Sequence, residues 1–469
     1  MPTHGAGPEQ SKTSHSTLIP ESQQTAHPHN TGSVTETAPP PGAGGTQIKE
    51  KHVPALHSGK WFDDHLLTGD WFGTRHKILD SGVEFHGATV TDLLGNVTGG
   101  FSQGWEPAAS TDIGMILDLE KLVGWPGASF ETSFIWRVGN NLSATRIGNL
   151  LTVAQLYGGQ NLRLYALFLK QEIIKDELYL KLGRFGAFDD FLTTPINWNF
   201  INNGFDGNAK GIFLSIPAFG LTVYPTSSWG AFAKYSPKDE EWYIQTGVYS
   251  LSERNGRNAS SGINFGFDAD RGVAALLQGG WYLNQDPGNP ELPGKYSLGF
   301  AYSSFKLPTF AVPRESEWNL YSLYMMAEQM VYREPGEENL QRQPSTWGWG
   351  GQEGLTLFTE VVGEPQTDLA FFPIFINTGF TYQGPIPGRE MDFVAGGFTF
   401  GLTGDELRDF QREIGVPVQT FEMVAELNYR ISITPYFYVQ PGMQYVFRPN
   451  ANGTVPDALV LGGQIGVLY

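Results

Sequence analysis

Glu426-Leu427-Asn428-Tyr429-Arg430-Ile431-Ser432-Ile433 sets Glu, Asn, Arg and Ser on one face of an extended chain and Leu, Tyr, Ile and Ile on the other. Thr434 and Pro435 supply a short turn. The following stretch, 436–447, then puts Tyr438, Gln440, Gly442 and Gln444 on one side and Phe437, Val439, Met443, Tyr445 and Phe447 on the other. After a loop of Pro449-Asn450-Ala451-Asn452-Gly453, the last strand sets Leu459, Leu461, Ile465, Val467 and Tyr469 against Gly462, Gln464 and Gly466. The same period of two recurs at 128–138, 162–169, 178–182 and 243–249.

Alternation by itself fits a soluble sandwich with apolar faces inward as well as a membrane barrel with apolar faces outward. Three features favour the barrel. Strands continue without an intervening helical domain, and about 409 residues at roughly 25 per strand and loop accommodate about 16 strands. Apolar faces end in aromatics such as Tyr436, Phe437, Tyr445 and Phe447, the composition of a membrane-interface girdle. The chain also stops on an aromatic, Tyr469, at the end of an alternating strand. The expected fold is therefore all-β: a transmembrane antiparallel barrel of about 16 strands, with in-folded loops and one or two short helices.

Composition agrees. Of 469 residues, 58 are Gly, 32 Phe, 19 Tyr and 12 Trp, while charged residues make up 17%, a balance suited to strands and turns. Thirty basic against 48 acidic side chains leave a net charge of −18, which argues against nucleic acid as a partner. With no cysteine there is no disulfide, thiolate metal site or cysteine nucleophile. No run of 18 apolar residues offers a transmembrane helix, so a membrane location requires strands.

Residues 1–60 hold no Phe, Trp or Tyr, balance four Lys against four Glu, and carry six of the nine His among Pro, Gly, Ser and Thr. Such a segment buries too little apolar surface to offset chain entropy and reads as a disordered polar tail. It lacks the features of a signal peptide, so an export signal is expected to have been removed or not included. Residues 61–82 read as an N-terminal periplasmic segment, with a helix over 70–79 whose apolar side is Trp71, Phe72 and Ile78. Residues 83–469 read as the outer-membrane barrel, with a second short helix at 404–414. Because the tail is charge-neutral, the −18 falls on the barrel's loops, turns and lumen, an acidic vestibule that disfavours anions.

Several stretches then resemble one family. Leu67-Thr68-Gly69-Asp70-Trp71-Phe72-Gly73-Thr74-Arg75, Asp92-Leu93-Leu94-Gly95-Asn96-Val97-Thr98-Gly99-Gly100 and Leu117-Asp118-Leu119-Glu120-Lys121-Leu122-Val123-Gly124-Trp125-Pro126-Gly127 are similar to the opening of the carbohydrate-selective porins, the OprB family. The likeness continues through Leu182-Gly183-Arg184-Phe185, Phe205-Asp206-Gly207-Asn208, Leu292-Pro293-Gly294-Lys295-Tyr296 and Asp457-Ala458-Leu459-Val460-Leu461-Gly462. The resemblance implies a 16-stranded channel of the bacterial outer membrane. Such a channel passes mono- or oligosaccharides by passive diffusion, without a cofactor and without catalysis. Its partners would be small sugars and outer-membrane lipid, and porins commonly form homotrimers.

A neutral sugar sheds water at the narrowest point of such a channel, so the lining must replace those hydrogen bonds without holding the sugar too long. Charged side chains bind hydroxyls, and an aromatic face stacks on a pyranose. Parity in 130–138 directs Glu131 and Arg137 to the lumen and Trp136 to lipid. Arg137 lies in a stretch similar to one from which the family directs an arginine into its constriction; the blander reading is an arginine solvating the wall or pairing with a loop acid. Arg163 and Tyr165 alternate against Leu162, Leu164 and Phe168 and so face the lumen. Gln155 stands where related porins place an acidic constriction residue, and Ile216, before Pro217, where an aromatic can occur. Arg184 with Asp189 and Asp190 reads as a loop-fixing ion pair or as lining of the mouth, and Trp198 as an anchor of an inward loop or a sugar-stacking platform.

Two rival functions remain. A sugar-binding β-sandwich would turn its polar faces outward, and a barrel hydrolase would need a histidine. Of the three beyond the tail, His65, His76 and His86, none sits in a metal-binding or nucleophile-elbow motif, and His86 reads as lumen lining.

Overall fold

Each strand of the barrel hydrogen-bonds to the barrel strands before and after it and the last closes on the first, which leaves the sheet without an edge. The computed structural model describes residues 66–469 apart from 158, 206–223, 238–240, 253, 255–260, 312–313, 338–342, 346–347 and 351. The tail of residues 1–60 and Ile216 lie outside the described residues.

The sixteen barrel strands are β1 (Val83–Thr98), β2 (Gly104–Asp118), β3 (Ala128–Gly139), β4 (Asn161–Ile174), β5 (Leu178–Phe185), β6 (Ser228–Tyr235), β7 (Trp242–Leu251), β8 (Gly272–Leu283), β9 (Gly294–Pro308), β10 (Ser316–Arg333), β11 (Gly354–Gly363), β12 (Ile374–Gln383), β13 (Phe393–Leu402), β14 (Phe421–Thr434), β15 (Phe437–Phe447) and β16 (Ala458–Leu468). All pairings are antiparallel, and closure runs through β1 and β16, with Thr91 opposite Ile465. A two-stranded ribbon, Gln343–Ser345 with Gly348–Gly350, takes no part in the wall, and its second strand lies beside the turn Pro195–Asn199.

The direction of the alternation decides between sandwich and barrel. On β14, Glu422, Val424, Glu426, Asn428 and Arg430 are buried, while Leu427 and Ile433 are about half exposed. Polar faces therefore point inward and apolar faces outward, an arrangement stable only in lipid. Outward aromatics form two belts. Trp105, Trp136, Trp318 and Tyr445 lie towards one end, and Phe85, Trp242 and Trp281 towards the other, with Trp242 directly across from Trp281. Tyr436, expected in a girdle, is instead buried at the β14–β15 turn.

Helix α1 (Thr74–Asp80) starts four residues later than expected, because Trp71 and Phe72 take left-handed φ values of 49° and 59°. It buries no side chain, and Phe72 is fully exposed. The segment is held by polar bonds: Arg75 donates to the carbonyls of Phe85 (2.7 Å) and Tyr469 (3.0 Å), and the Leu67 N–H to Leu468 O (2.8 Å). Helix α2 (Leu119–Val123) is capped by Asp118, and α3 (Asp405–Glu413) carries Asp405 and Glu406 in its first turn.

Candidate functional site

Two long connections turn into the barrel. The one after β3 (140–160) and the described start of the one after β5 (186–205) bury Leu142, Ile147, Leu151, Val153, Phe188, Phe191, Leu192 and Ile201 against the wall. Local chemistry shapes the second. Thr194 caps the turn Pro195–Asn199, with Pro195 at its first position and the Asn197 side chain returning to the Thr194 N–H at 2.9 Å. Gly204 passes so close to β13 that a Cβ there would lie 2.5 Å from the Thr399 side chain, so only glycine fits. The two connections bond to each other: Gln155 N–H to Ile201 O (3.0 Å), Gln155 Nε2 to Phe200 O (2.5 Å) and Asn203 N–H to Thr152 O (2.9 Å).

Arg137, wholly buried on the lumen face of β3, meets this junction. Its Nη1 donates to Gln155 O at 3.4 Å, and its guanidinium lies 4.5 Å from the centre of the Tyr224 ring. Tyr224 in turn packs edge-on against Tyr165 at 4.8 Å, and the Tyr165 hydroxyl donates to Asp189 at 2.6 and 2.7 Å. Burial holds the Tyr224 hydroxyl well above the usual phenol range against the pull of Arg137, so it stays a neutral donor and acceptor. Arg137, Gln155 and Tyr165 thus come together, joined by Tyr224, which the sequence reading did not single out.

The remaining candidates lie apart from this group. Asp190 pairs with Lys181 at 2.7 Å, and Glu131 lies across from Phe168 on the neighbouring strand. Arg184 does not take the expected position between the two acids. Its Nη1 donates to the carbonyls of Gly262 (2.5 Å) and Asn264 (2.9 Å) and its Nε to Ser227 Oγ (3.2 Å), clamping the loop after β7. Arg163 underlies the same loop, where the Leu164 N–H donates to Ser261 O at 2.9 Å. Trp198 is buried at the wall, and its carbonyl accepts from Arg430 at 2.6 Å. One parity reading changes. Tyr165 is an extra residue at a bulge, with Ser133 opposite Ala166 but Phe134 opposite Leu164. Below it the faces swap, and Phe168 points inward against Phe185 at 5.4 Å.

The polar faces of β14 and β15 have a role that alternation does not reveal. Glu422, Glu426, Asn428, Arg430, Gln440 and Gln444 all bond to the in-folded segments. Alternation puts Glu426, Asn428 and Arg430 on one polar face, but nothing in it marks them, or Glu422 beyond Val424, as anchors for loops. His86 faces Asp112 at 3.5 Å, and among the described residues no group of three or more His, Asp or Glu is arranged to hold a metal.

The family model described as "Carbohydrate-selective porin, OprB family" matches residues 102–469. Porin B of Pseudomonas aeruginosa is 28% identical over 452 residues, spanning 88% of this chain and 94% of that protein. The putative porin QuiX of Acinetobacter baylyi is 25% identical over 428 residues, 85% of this chain and 92% of that one. Among solved structures, the high-pH structure of Pseudomonas putida OprB superposes with a TM-score of 0.77 at 25% identity, over 88% of this chain and all of the other.

Proposed function

The chain belongs to the OprB family of carbohydrate-selective porins of the bacterial outer membrane, and from that premise we propose that the junction of Arg137, Gln155, Tyr165 and Tyr224 is where a sugar is recognised as it passes. The observation that supports this reading is the Arg137 guanidinium laid over the Tyr224 ring where two in-folded segments meet. Arg137 and Tyr224 are both buried by the packed segments, so in this reading a passing sugar displaces part of that packing: the guanidinium then offers its donors to hydroxyl oxygens and the ring its apolar face to a pyranose. Gln155 keeps its side chain on Phe200 O, so the amide holds the loop while Arg137 carries the positive charge.

In this reading Glu131, Lys170, Lys181 and Asp190 form a second group of mixed sign on the path, whereas Arg163, Arg184 and Trp198 fix loops and touch no sugar. The channel makes and breaks no covalent bond. Residues 66–82 lie against β1 and the chain's last residues at the end where both termini of the barrel lie, the periplasmic side by its short turns after β4, β6 and β14.

Planar-bilayer recordings with and without glucose test the assignment. Arg137→Ala is expected to weaken sugar block about tenfold, the loss of one charged hydrogen bond, while heat-modifiable migration is retained. Unchanged block would remove Arg137 from the site.

A further inference from the structure

Strand β14 lies five strands from β3 and seven from β5 round the closed wall, so segments that leave at β3 and β5 reach it only by crossing the lumen. Two carboxylates receive them there. Glu422 accepts the Leu150 N–H at 2.8 and 2.9 Å and the Leu151 N–H at 2.6 Å. Two pleat repeats further on, past Val424, Glu426 accepts the Ile201 N–H at 2.7 Å and the Asn202 N–H at 2.8 Å, and Asn428 Nδ2 donates to it at 2.7 Å. Both side chains are buried. Each meets a pair of consecutive backbone donors, which only an acceptor-only group satisfies in full. An amide there has one acceptor oxygen and turns its own N–H towards the second donor.

We propose that Glu422 and Glu426 are the positioning residues that set the aperture of the channel, and with it the largest sugar that passes, by pinning the far ends of the two in-folded segments to the opposite wall. This rests on the reading that those segments form the constriction. Neither carboxylate touches the sugar. Because the segments are also bonded to each other through Gln155, Thr152, Ile201 and Asn203, the two pins hold one body. One pin retains it partly, and loss of both leaves it held on this wall by the single bonds from Asn428, Arg430, Gln440 and Gln444, which permit a wider range of positions.

The test uses the full chain in planar bilayers and in liposome-swelling assays with a graded series from glucose to a hexasaccharide. Glu422→Gln and Glu426→Gln each raise open-channel current noise, and the double variant exceeds the sum of the two. In the double variant, residence of a blocking oligosaccharide shortens about tenfold, the equivalent of one charged hydrogen bond, and larger sugars enter. A purely structural role would lower the temperature of heat-modifiable migration without moving the sugar cutoff.

Rescue separates the two. The chain has no cysteine, so Asn202→Cys with Gln444→Cys, whose native side chains meet at 2.9 Å, can be bridged by a reducible bis-methanethiosulfonate linker in the double variant. Bridging restores the wild-type cutoff and reduction abolishes it. If a wall variant fails to assemble, Ile201→Pro deletes one donor from the loop side, and the extended Phe200 before it (φ −113°, ψ 151°) accommodates the proline. Wild-type noise and cutoff in the double variant, or in Ile201→Pro, would overturn the proposal. A wild-type channel indifferent to every sugar would overturn the constriction reading instead.

Discussion

Two stretches of wall receive the in-folded segments in different ways. Along β14 as far as Ser432 and along β15 the pleat keeps its period of two, and the lumen face from Glu422 to Arg430, with Gln440 and Gln444, bonds to loop backbone. Along β4, β5 and β6 the wall is irregular. A bulge at Tyr165 swaps the faces of β4, β5 and β6 are only eight residues long, and the chain at Ser261 bonds to the upper part of β4. The regular wall holds loops by hydrogen bonds to strands. On the irregular wall an ion pair, Lys181 with Asp190, and aromatic packing of Phe191 from the in-folded segment on Phe232 of β6 hold the loop.

The irregular side is accordingly expected to break harder. Lys181→Met leaves the Asp190 carboxylate buried without its cation, a loss of about 3–5 kcal/mol, read as a lower temperature of heat-modifiable migration in detergent. Next comes the bulge. With the faces swapped below Tyr165, Leu169 points to lipid, and Leu169→Lys should cost about 2–4 kcal/mol in a urea titration of the refolded barrel. Full tolerance of lysine there would put Leu169 in the lumen and cancel the swap.

A smaller effect belongs to Tyr165→Phe, which removes one hydroxyl from Asp189 at a cost of about 2 kcal/mol and is checked by the same titration. The smallest concerns function. Arg184→Ala should loosen the loop at Gly262 and Asn264, seen as faster proteolysis of the rim, while sugar block stays at the wild-type value. A change in block comparable to that of Arg137→Ala would return Arg184 to the path.

The contrast also explains what could be read from the chain. Where no bulge intervenes, parity assigned inward and outward faces residue by residue: Gln440 and Gln444 inward, Met443 and Tyr445 outward, as observed. The closed sheet, the strand number and α3 followed from the same arithmetic, and the family followed from motifs in order along the chain. Phe168 was misplaced because a bulge adds one residue without a sequence mark strong enough to identify it. Arg184 was assigned to its nearest acids because sequence proximity favours local ion pairs, whereas its partners are carbonyls of residues 262 and 264. Tyr224 and the Glu422–Glu426 pair were missed for a related reason. Their roles come from contacts between segments far apart in the chain, Glu422 with Leu150 and Tyr224 with Arg137.

The central claim is that a neutral sugar occupies the junction of the in-folded segments on its way through the barrel. Its most direct test is the current through single wild-type channels as glucose or a short oligosaccharide is titrated into one chamber. The account predicts reversible, saturable reduction of conductance with sugar-dependent current noise. Conductance and noise that remain unchanged at saturating sugar would contradict it.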